Sequence, residues 1–253
     1  MAACAKPTRQ SGPPPPEANH QSRSGLLGIA QKETPSEAWA KIQEKITRAG
    51  AFSVRVDGEW NGSPAKMRLA CARPNKVYFE MQTTQERDPF LFQKDREPFF
   101  LMVSDGATLV SKVAGSRSEA KAETYLAASW TAKLVGGGII PSMGYEAALG
   151  DTSTPPDQYP DFGKVLETKK FRYGKEEGSL KVIQYTALYT AMIKDEKVPL
   201  LEFEFSLTYD PRTYLPKERS LLQWGLADHK VQEQYSEWLF GDDVKPDLFM
   251  LPK

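Results

Sequence analysis

Apolar and polar residues alternate along much of this chain, which is the pattern of β-strands with one buried face. The clearest run is Leu200–Tyr209, in which the residues on one side are Leu201, Phe203, Phe205 and Leu207. Further strands are predicted at 52–56, 67–71, 76–83, 99–104, 107–113, 164–173, 180–190, 217–224 and 231–239. Short turns such as Asp105-Gly106 join successive strands, so we expect an antiparallel meander that curves.

Two helices are predicted between the strands. Thr34 and Glu37 form a capping-box pattern, and the apolar stripe that follows it, until Gly50, consists of Trp39, Ile42 and Ile46. A second helix is predicted over Ser118–Val135 and ends at Gly136-Gly137-Gly138. With the glycines as a flexible joint, this helix and the apolar segment after it would make a lid. The alternative is a helix that packs into the sheet as ordinary core.

Composition favours one domain without a nucleic-acid partner. The 253 residues suit a single large β-rich domain, which we expect at 34–253, with a proline-rich tail at 1–33 and the lid insertion at about 116–150. Lys and Arg number 33, as do Asp and Glu, so the formal charge is zero. No basic field is therefore available to attract nucleic acid.

The two cysteines, Cys4 and Cys71, are too few for the disulfide framework of a small secreted protein. Ala2-Ala3-Cys4, followed by a proline- and serine-rich stretch, is typical of a processed bacterial lipoprotein and predicts lipidation of Cys4, which would tether the chain to a membrane. The alternative is a chance cysteine in an alanine-rich start. No apolar run is long enough to cross a bilayer.

The sequence shows no constellation for catalysis or metal binding. His20 lies in the tail and His229 in a predicted turn, so they do not form a histidine pair for a zinc site, and Cys71 has no second thiol near it in sequence. No nucleophile elbow or phosphate-binding loop occurs. We therefore expect no enzymatic activity, no metal and no cofactor.

Large apolar residues are instead abundant at alternate strand positions, where their side chains share one face of the sheet. A curved sheet cannot bring all of them into mutual contact, so a helix or an apolar guest must fill its concave side. We predict an apolar ligand-binding cavity lined by Phe52, Val54, Met67, Leu69, Phe79, Met81, Leu101, Val103, Leu126, Trp130, Leu134, Ile139, Phe203, Phe205 and Trp224.

The segment Arg73-Pro74-Asn75, heading a strand that ends at Met81, and the later Val103-Ser104-Asp105-Gly106 resemble the bacterial lipoprotein carriers LolA and LolB and their relatives. The order of elements is similar too: an N-terminal helix, antiparallel strands, a helical insertion after the Asp-Gly hairpin, and further strands. The likeness extends over most of the chain from Thr34, although this chain is longer than the carriers and its insertion is extended.

The resemblance implies an α+β, mostly β fold: an incomplete antiparallel β-barrel, or half-barrel, with an N-terminal helix and a helical lid over the concave face. It also implies that Arg73 latches the lid by donating hydrogen bonds to carbonyls of the lid helix, a task that suits a guanidinium. The implied location is the bacterial periplasm, or an envelope membrane if Cys4 carries a lipid.

The first functional hypothesis is a monomeric, non-enzymatic periplasmic protein that holds lipid or lipoprotein acyl chains in the cavity. The alternative is an envelope scaffold or sensor that binds another envelope protein, with a cavity filled by its own Trp130, Leu134 and Ile139. An enzymatic role is the third hypothesis, since an enzyme is known on this fold.

Overall fold

A computed structural model describes residues 32–60, 63–83, 100–113, 116–140, 166–193, 196–224 and 230–252. Among these residues there are two α-helices, α1 (Pro35–Thr47) and α2 (Leu126–Gly136). The strands are β1 (Ala51–Trp60), β2 (Ser63–Ala72), β3 (Lys76–Thr83), β4 (Phe100–Ser104), β5 (Thr108–Val113), β6 (Ser116–Lys121), β7 (Leu166–Tyr173), β8 (Lys181–Ile193), β9 (Glu196–Asp210), β10 (Leu215–Trp224) and β11 (Val231–Phe240).

All these strands join one antiparallel sheet of eleven strands in the order β6-β5-β4-β3-β2-β1-β11-β10-β9-β8-β7. Consecutive strands pair as hairpins, which confirms the predicted meander. The last strand returns to pair with the first, since Phe52 lies opposite Phe240 and Val56 opposite Tyr235. This one long-range pairing joins two meanders, β1–β6 and β7–β11, into a single surface.

The sheet curves around α2. This helix contacts β2 and β3 on one side and the edge strand β7 on the other, although β3 and β7 are far apart in the strand order. Strands so far apart reach one helix only if the sheet curls around it. The incomplete antiparallel barrel, with an N-terminal helix and a second helix on its concave face, is therefore confirmed.

The capping box at the start of α1 is also confirmed. The Thr34 side chain accepts from the Glu37 amide, and the Thr34 amide donates to the Glu37 carboxylate at 2.7 Å. The apolar face of α1 is buried, and its Trp39 ring lies 4.3 Å from the Tyr185 ring of β8. Thus α1 packs across the β7–β10 side of the sheet, where it also contacts α2.

The predicted helix Ser118–Val135 is wrong over its first part. Residues 116–121 form β6, an exposed edge strand paired with β5, and α2 begins only at Leu126. The first residues of the predicted helix have no apolar stripe, whereas the open edge of β5 offers backbone hydrogen bonds.

The predicted orientation of β4 is wrong as well. Leu101 lies opposite Glu80 and Val103 opposite Tyr78, so both point to the convex face, away from Phe79. The alternate positions, Phe100 and Met102, are equally apolar and face the interior. Because both halves of the alternation are apolar, a period of two could not select the inner face.

Candidate functional site

The concave face of the sheet is apolar and holds α2. One buried cluster includes the predicted lining residues Phe52, Val54, Met67, Leu69, Phe79, Leu126, Trp130, Leu134, Ile139, Phe203 and Phe205, and Met81 packs against it half-buried. The Trp130 ring stacks on the Phe79 ring at 4.9 Å. Residues expected to line a cavity therefore contact one another and α2 in this conformation.

Three predicted positions do not join this cluster in the described residues. Leu101 and Val103 are absent because they face outward. Trp224 pairs with Phe203 in the sheet, but its side chain lies outside the described residues, as does Cys4 altogether.

Arg73 does not act on α2 as expected. Its exposed guanidinium donates to the Thr47 carbonyl at the end of α1, and its amide donates to the Gly50 carbonyl at 2.9 Å. Arg73 therefore caps α1, because the turn between β2 and β3 lies beside the end of that helix and not beside α2.

Arg219 of β10 is the cation that holds α2. Its side chain is 2% exposed, and it donates to the Leu134 carbonyl at 2.6 Å and to the Val135 carbonyl at 2.8 Å. It also donates to the Tyr235 hydroxyl at 2.9 Å. A charged donor at the C-terminal carbonyls of a helix satisfies groups that the helix itself leaves without partners.

Glu233 of β11 completes this buried network. It lies opposite Arg219 in the sheet, with a charged nitrogen of Arg219 3.8 Å from a carboxylate oxygen, and it accepts from the Ile140 amide at 2.6 Å and from the Tyr235 hydroxyl. Burial raises the pKa of Glu233, against the lowering effect of Arg219 and of these donors. The network fixes both α2 and the residues that follow it.

The glycine run Gly136–Gly138 at the C-terminal end of α2, which was predicted to be a flexible joint, is tightly packed in this structure. Gly136, Gly137 and Gly138 are all buried, and the Tyr185 hydroxyl donates to the Gly136 carbonyl at 2.9 Å. Gly138 has a φ of +87°, and a Cβ there would lie 2.5 Å from a carboxylate oxygen of Glu233. Glycine is needed here for close approach to the ion pair.

A buried thiol lies against the middle of α2. The Cys71 thiol of β2 lies beside the Thr131 side chain, whose hydroxyl donates to the Ala127 carbonyl at 2.6 Å. Burial raises the pKa of Cys71 to about 12, so the thiol is protonated at neutral pH.

Sequence reasoning missed Arg219 and Glu233, although a signal was present. In Val231-Gln-Glu233-Gln-Tyr235, the acid occupies an apolar half of the alternation, and Arg219 shares a face with Leu221. Opposite charges at core-facing positions of two neighbouring strands indicate a buried pair.

The helices of the described residues do not reach the length and apolarity that a membrane span needs. Nor does the described part of the chain hold a group of three or more His, Cys, Asp or Glu side chains able to bind a metal ion.

No protein-family model matches this chain, and no curated protein matches it. Among solved structures it is similar to the MucA/MucB complex of Pseudomonas aeruginosa, with 12% identity and a TM-score of 0.38 over 86% of this chain and 61% of that one. It is similar to LprF from Mycobacterium bovis, with 12% identity and a TM-score of 0.36 over 85% and 99% of the two chains. A LolA superfamily protein from Nitrosomonas europaea shows 8% identity and a TM-score of 0.36 over 87% and 98%.

The chain spans 61% of the matched chain in the MucA/MucB complex. At identities and TM-scores this low, the likeness carries no argument about the family or the ligand of this chain.

Proposed function

We propose that this chain is a non-enzymatic binding protein of the bacterial periplasm or envelope that takes up acyl chains of lipids or lipoproteins where α2 now lies. The observation that carries the proposal is a curved sheet with an apolar inner surface, of which the β2–β3 part is covered by α2 alone while α1 packs over the β7–β10 part. Side chains of α2 such as Leu126 and Trp130 are the contacts that hydrocarbon would replace.

Hydrocarbon can compensate for the displaced helix. Each buried methylene contributes about 0.8 kcal/mol, so ten methylenes of an acyl chain contribute about 8 kcal/mol. Since the interaction is non-directional, such a site needs no polar recognition and would accept many chain types.

The two ends of α2 differ in how they are held, and this asymmetry supports release from the N-terminal end. At the N-terminal end, Tyr125 is 45% exposed. The C-terminal end is bound by Arg219 and followed by the segment that Glu233 holds. We expect α2 to pivot about its C-terminal end and to uncover the inner face of β2 and β3.

A reversible crosslink tests the proposal. Thr131→Cys places a second thiol beside Cys71, and the pair would lock α2 to β2 when oxidised; Cys4→Ser is included in every variant. We expect the reduced protein to bind a fluorescent fatty acid and the oxidised protein to lose this binding, with recovery after reduction. Thr131→Ser, treated with the same oxidant, is the matched control, and a free-thiol assay verifies the crosslink.

Two outcomes would refute the proposal. Equal binding by locked and unlocked protein would mean that α2 does not cover the site. A ligand-free species in native mass spectrometry that also ignores fluorescent fatty acids would mean that there is no acyl site.

A second candidate function is a scaffold or sensor that binds an envelope protein while α2 stays in place. The buried Arg219–Glu233 network favours it, because the network holds the C-terminal end of α2 and the segment after it in place. This function requires that the locked and the reduced protein bind the partner equally well.

A further inference from the structure

A groove of about 550 Å³ lies along α1. One wall is a single face of the helix, formed by Lys41, Glu44, Lys45 and Arg48 at helical spacing. The rest of the lining comes from the end of β11 and from two connecting segments, and consists of Ala49, Gly50, Tyr214, Phe240 and Gly241.

Positive charge and aromatic rings meet in this groove. The Lys45 ammonium lies 5.4 Å from the centre of the Phe240 ring, and the Lys41 ammonium lies 5.0 Å from that of Tyr214. Arg48 forms an ion pair with Glu44, yet its side chain is 79% exposed. An exposed surface pair of this kind is weak, so its cation can be recruited by a ligand anion.

The two remaining cations near the groove, Lys41 and Arg73, already have hydrogen-bond partners in the protein. Lys41 is held by Glu33 at 2.7 Å and by the Tyr214 hydroxyl at 3.2 Å, and is therefore occupied. Arg73 donates its amide to the carbonyl of Gly50, which lines the groove, and its guanidinium to Thr47 beside Arg48. Among the lining residues, Lys41, Lys45 and Arg48 outnumber the one acid, Glu44.

We infer that this groove binds a single-chain anionic amphiphile. Its carboxylate or phosphate head would accept hydrogen bonds from Lys45 and Arg48, and the first part of its hydrocarbon chain would pack on Phe240 and Tyr214. The volume lies within the range of small-molecule sites. This inference does not rest on acyl binding in the interior.

The lining favours an amphiphile over a peptide or a bilayer surface. The Gly50 and Gly241 carbonyls already accept from Arg73 and Val244, so these backbone acceptors are engaged and a peptide strand could not pair with them. The aromatic rings are half-buried at the base of the groove, so a flat bilayer would meet the cations without reaching the apolar base.

Calorimetric titration with monomeric decanoate and decyl phosphate tests the inference. We expect both to bind, hexyl phosphate to bind more weakly because less hydrocarbon packs on the rings, and inorganic phosphate not to bind. The double variant Lys45→Gln, Arg48→Gln should weaken decyl phosphate binding by about tenfold or more. The matched control is Lys66→Gln, Arg117→Gln, which removes the same charges from exposed positions on β2 and β6 and should leave binding unchanged.

Several results would overturn the inference. These are equal binding of inorganic phosphate, equal binding of neutral decyl maltoside, or an unaltered affinity of the double variant. Binding to vesicles of three parts phosphatidylcholine and one part phosphatidylglycerol, without binding of the monomers, would assign the surface to a membrane. An acidic peptide that binds where the amphiphiles do not would assign it to a protein.

The crosslink between Cys71 and Thr131→Cys distinguishes ligand binding in the groove from ligand binding in the sheet interior. Locking α2 should leave binding in the α1 groove intact, because no residue of α2 lines the groove. Loss of decyl phosphate binding on oxidation would place the ligand in the interior and refute the groove site, whatever the outcome for fatty acids.

Discussion

At the scale of single residues, substitutions at three glycines distinguish the effect of backbone strain from the effect of close packing. Gly138 combines a positive φ with contact to Glu233, Gly178 has a φ of +62° with open space around it, and Gly50 has neither constraint. Alanine at these positions should therefore have graded effects.

We expect Gly50→Ala to change the free energy of unfolding by no more than about 0.5 kcal/mol. Gly178→Ala should cost about 1 kcal/mol, because an alanine there adopts the left-handed region. Gly138→Ala should cost clearly more, since its Cβ must also displace the Glu233 carboxylate. Urea unfolding of the three variants measures this order; equal losses at Gly138 and Gly178 would show that the ion pair yields without cost.

Residue roles were harder to predict than residue burial. Phe79, Trp130 and Phe203 were expected in the interior and are buried there, because their strand or helix period fixes their face. Arg219 and Glu233 were not expected, since charged residues usually lie on the solvated face. Arg73 was assigned to the wrong helix because its partner depends on which helix end lies beside the turn after β2, and no local pattern contains that information.

At the scale of elements, the anchoring of α2 depends on a buried ion pair in which each residue is the counterion of the other. Removing Arg219 alone leaves Glu233 buried without its counterion and leaves two carbonyls of α2 without their donor. Replacing both charged residues with apolar ones removes the unpaired charge.

We expect Arg219→Met to lower the free energy of unfolding by about 3–5 kcal/mol, and the double variant Arg219→Met, Glu233→Leu to recover a substantial part of that loss. Urea unfolding followed by circular dichroism checks both variants. A double variant that is less stable than Arg219→Met would mean that the hydrogen bonds from Glu233 to the segment after α2 matter more than its charge.

Strand positions were predicted well where one half of the alternation is polar, as in β1 and β9. The prediction failed where the two faces of a strand do not differ in polarity. In β4 both halves are apolar, so the face was wrong, and in β6 neither half is apolar, so the strand was taken for the start of a helix. Period and propensity therefore located elements only where burial differs between the two faces.

At the scale of the whole molecule, the path of the sheet was implied only by family resemblance. The pairing of β1 with β11 joins residues nearly two hundred positions apart, as with Phe52 and Phe240, and no local sequence signal encodes it. That pairing puts β2 and β3 in one sheet with β7, and the sheet curls around α2, which contacts all three strands. The convex face also needs a cover over β2–β4, and the end of the chain supplies it.

After β11, a short 3₁₀ turn (Pro246–Phe249) contacts β3 and β4, and Phe249 and Val244 form a second small core with Ala70 of β2. The strands β2 and β3 are thus covered by α2 on the concave side and by this tail on the convex side. The tail stabilises these strands from the convex face. A ligand that displaces α2 would bind on the concave face and would leave the contacts of the tail unchanged.

Phe249→Ala should therefore lower the free energy of unfolding by about 3 kcal/mol, because Phe249 is 5% exposed and its removal leaves a void over β2. Met250→Ala is the matched control: its side chain is 71% exposed, and the change should stay within about 0.5 kcal/mol. Urea unfolding measures both, and titration with a fluorescent fatty acid should give the same affinity for each folded variant. A loss of affinity in Phe249→Ala without loss of stability would show that the tail, and not α2 alone, controls access to the interior.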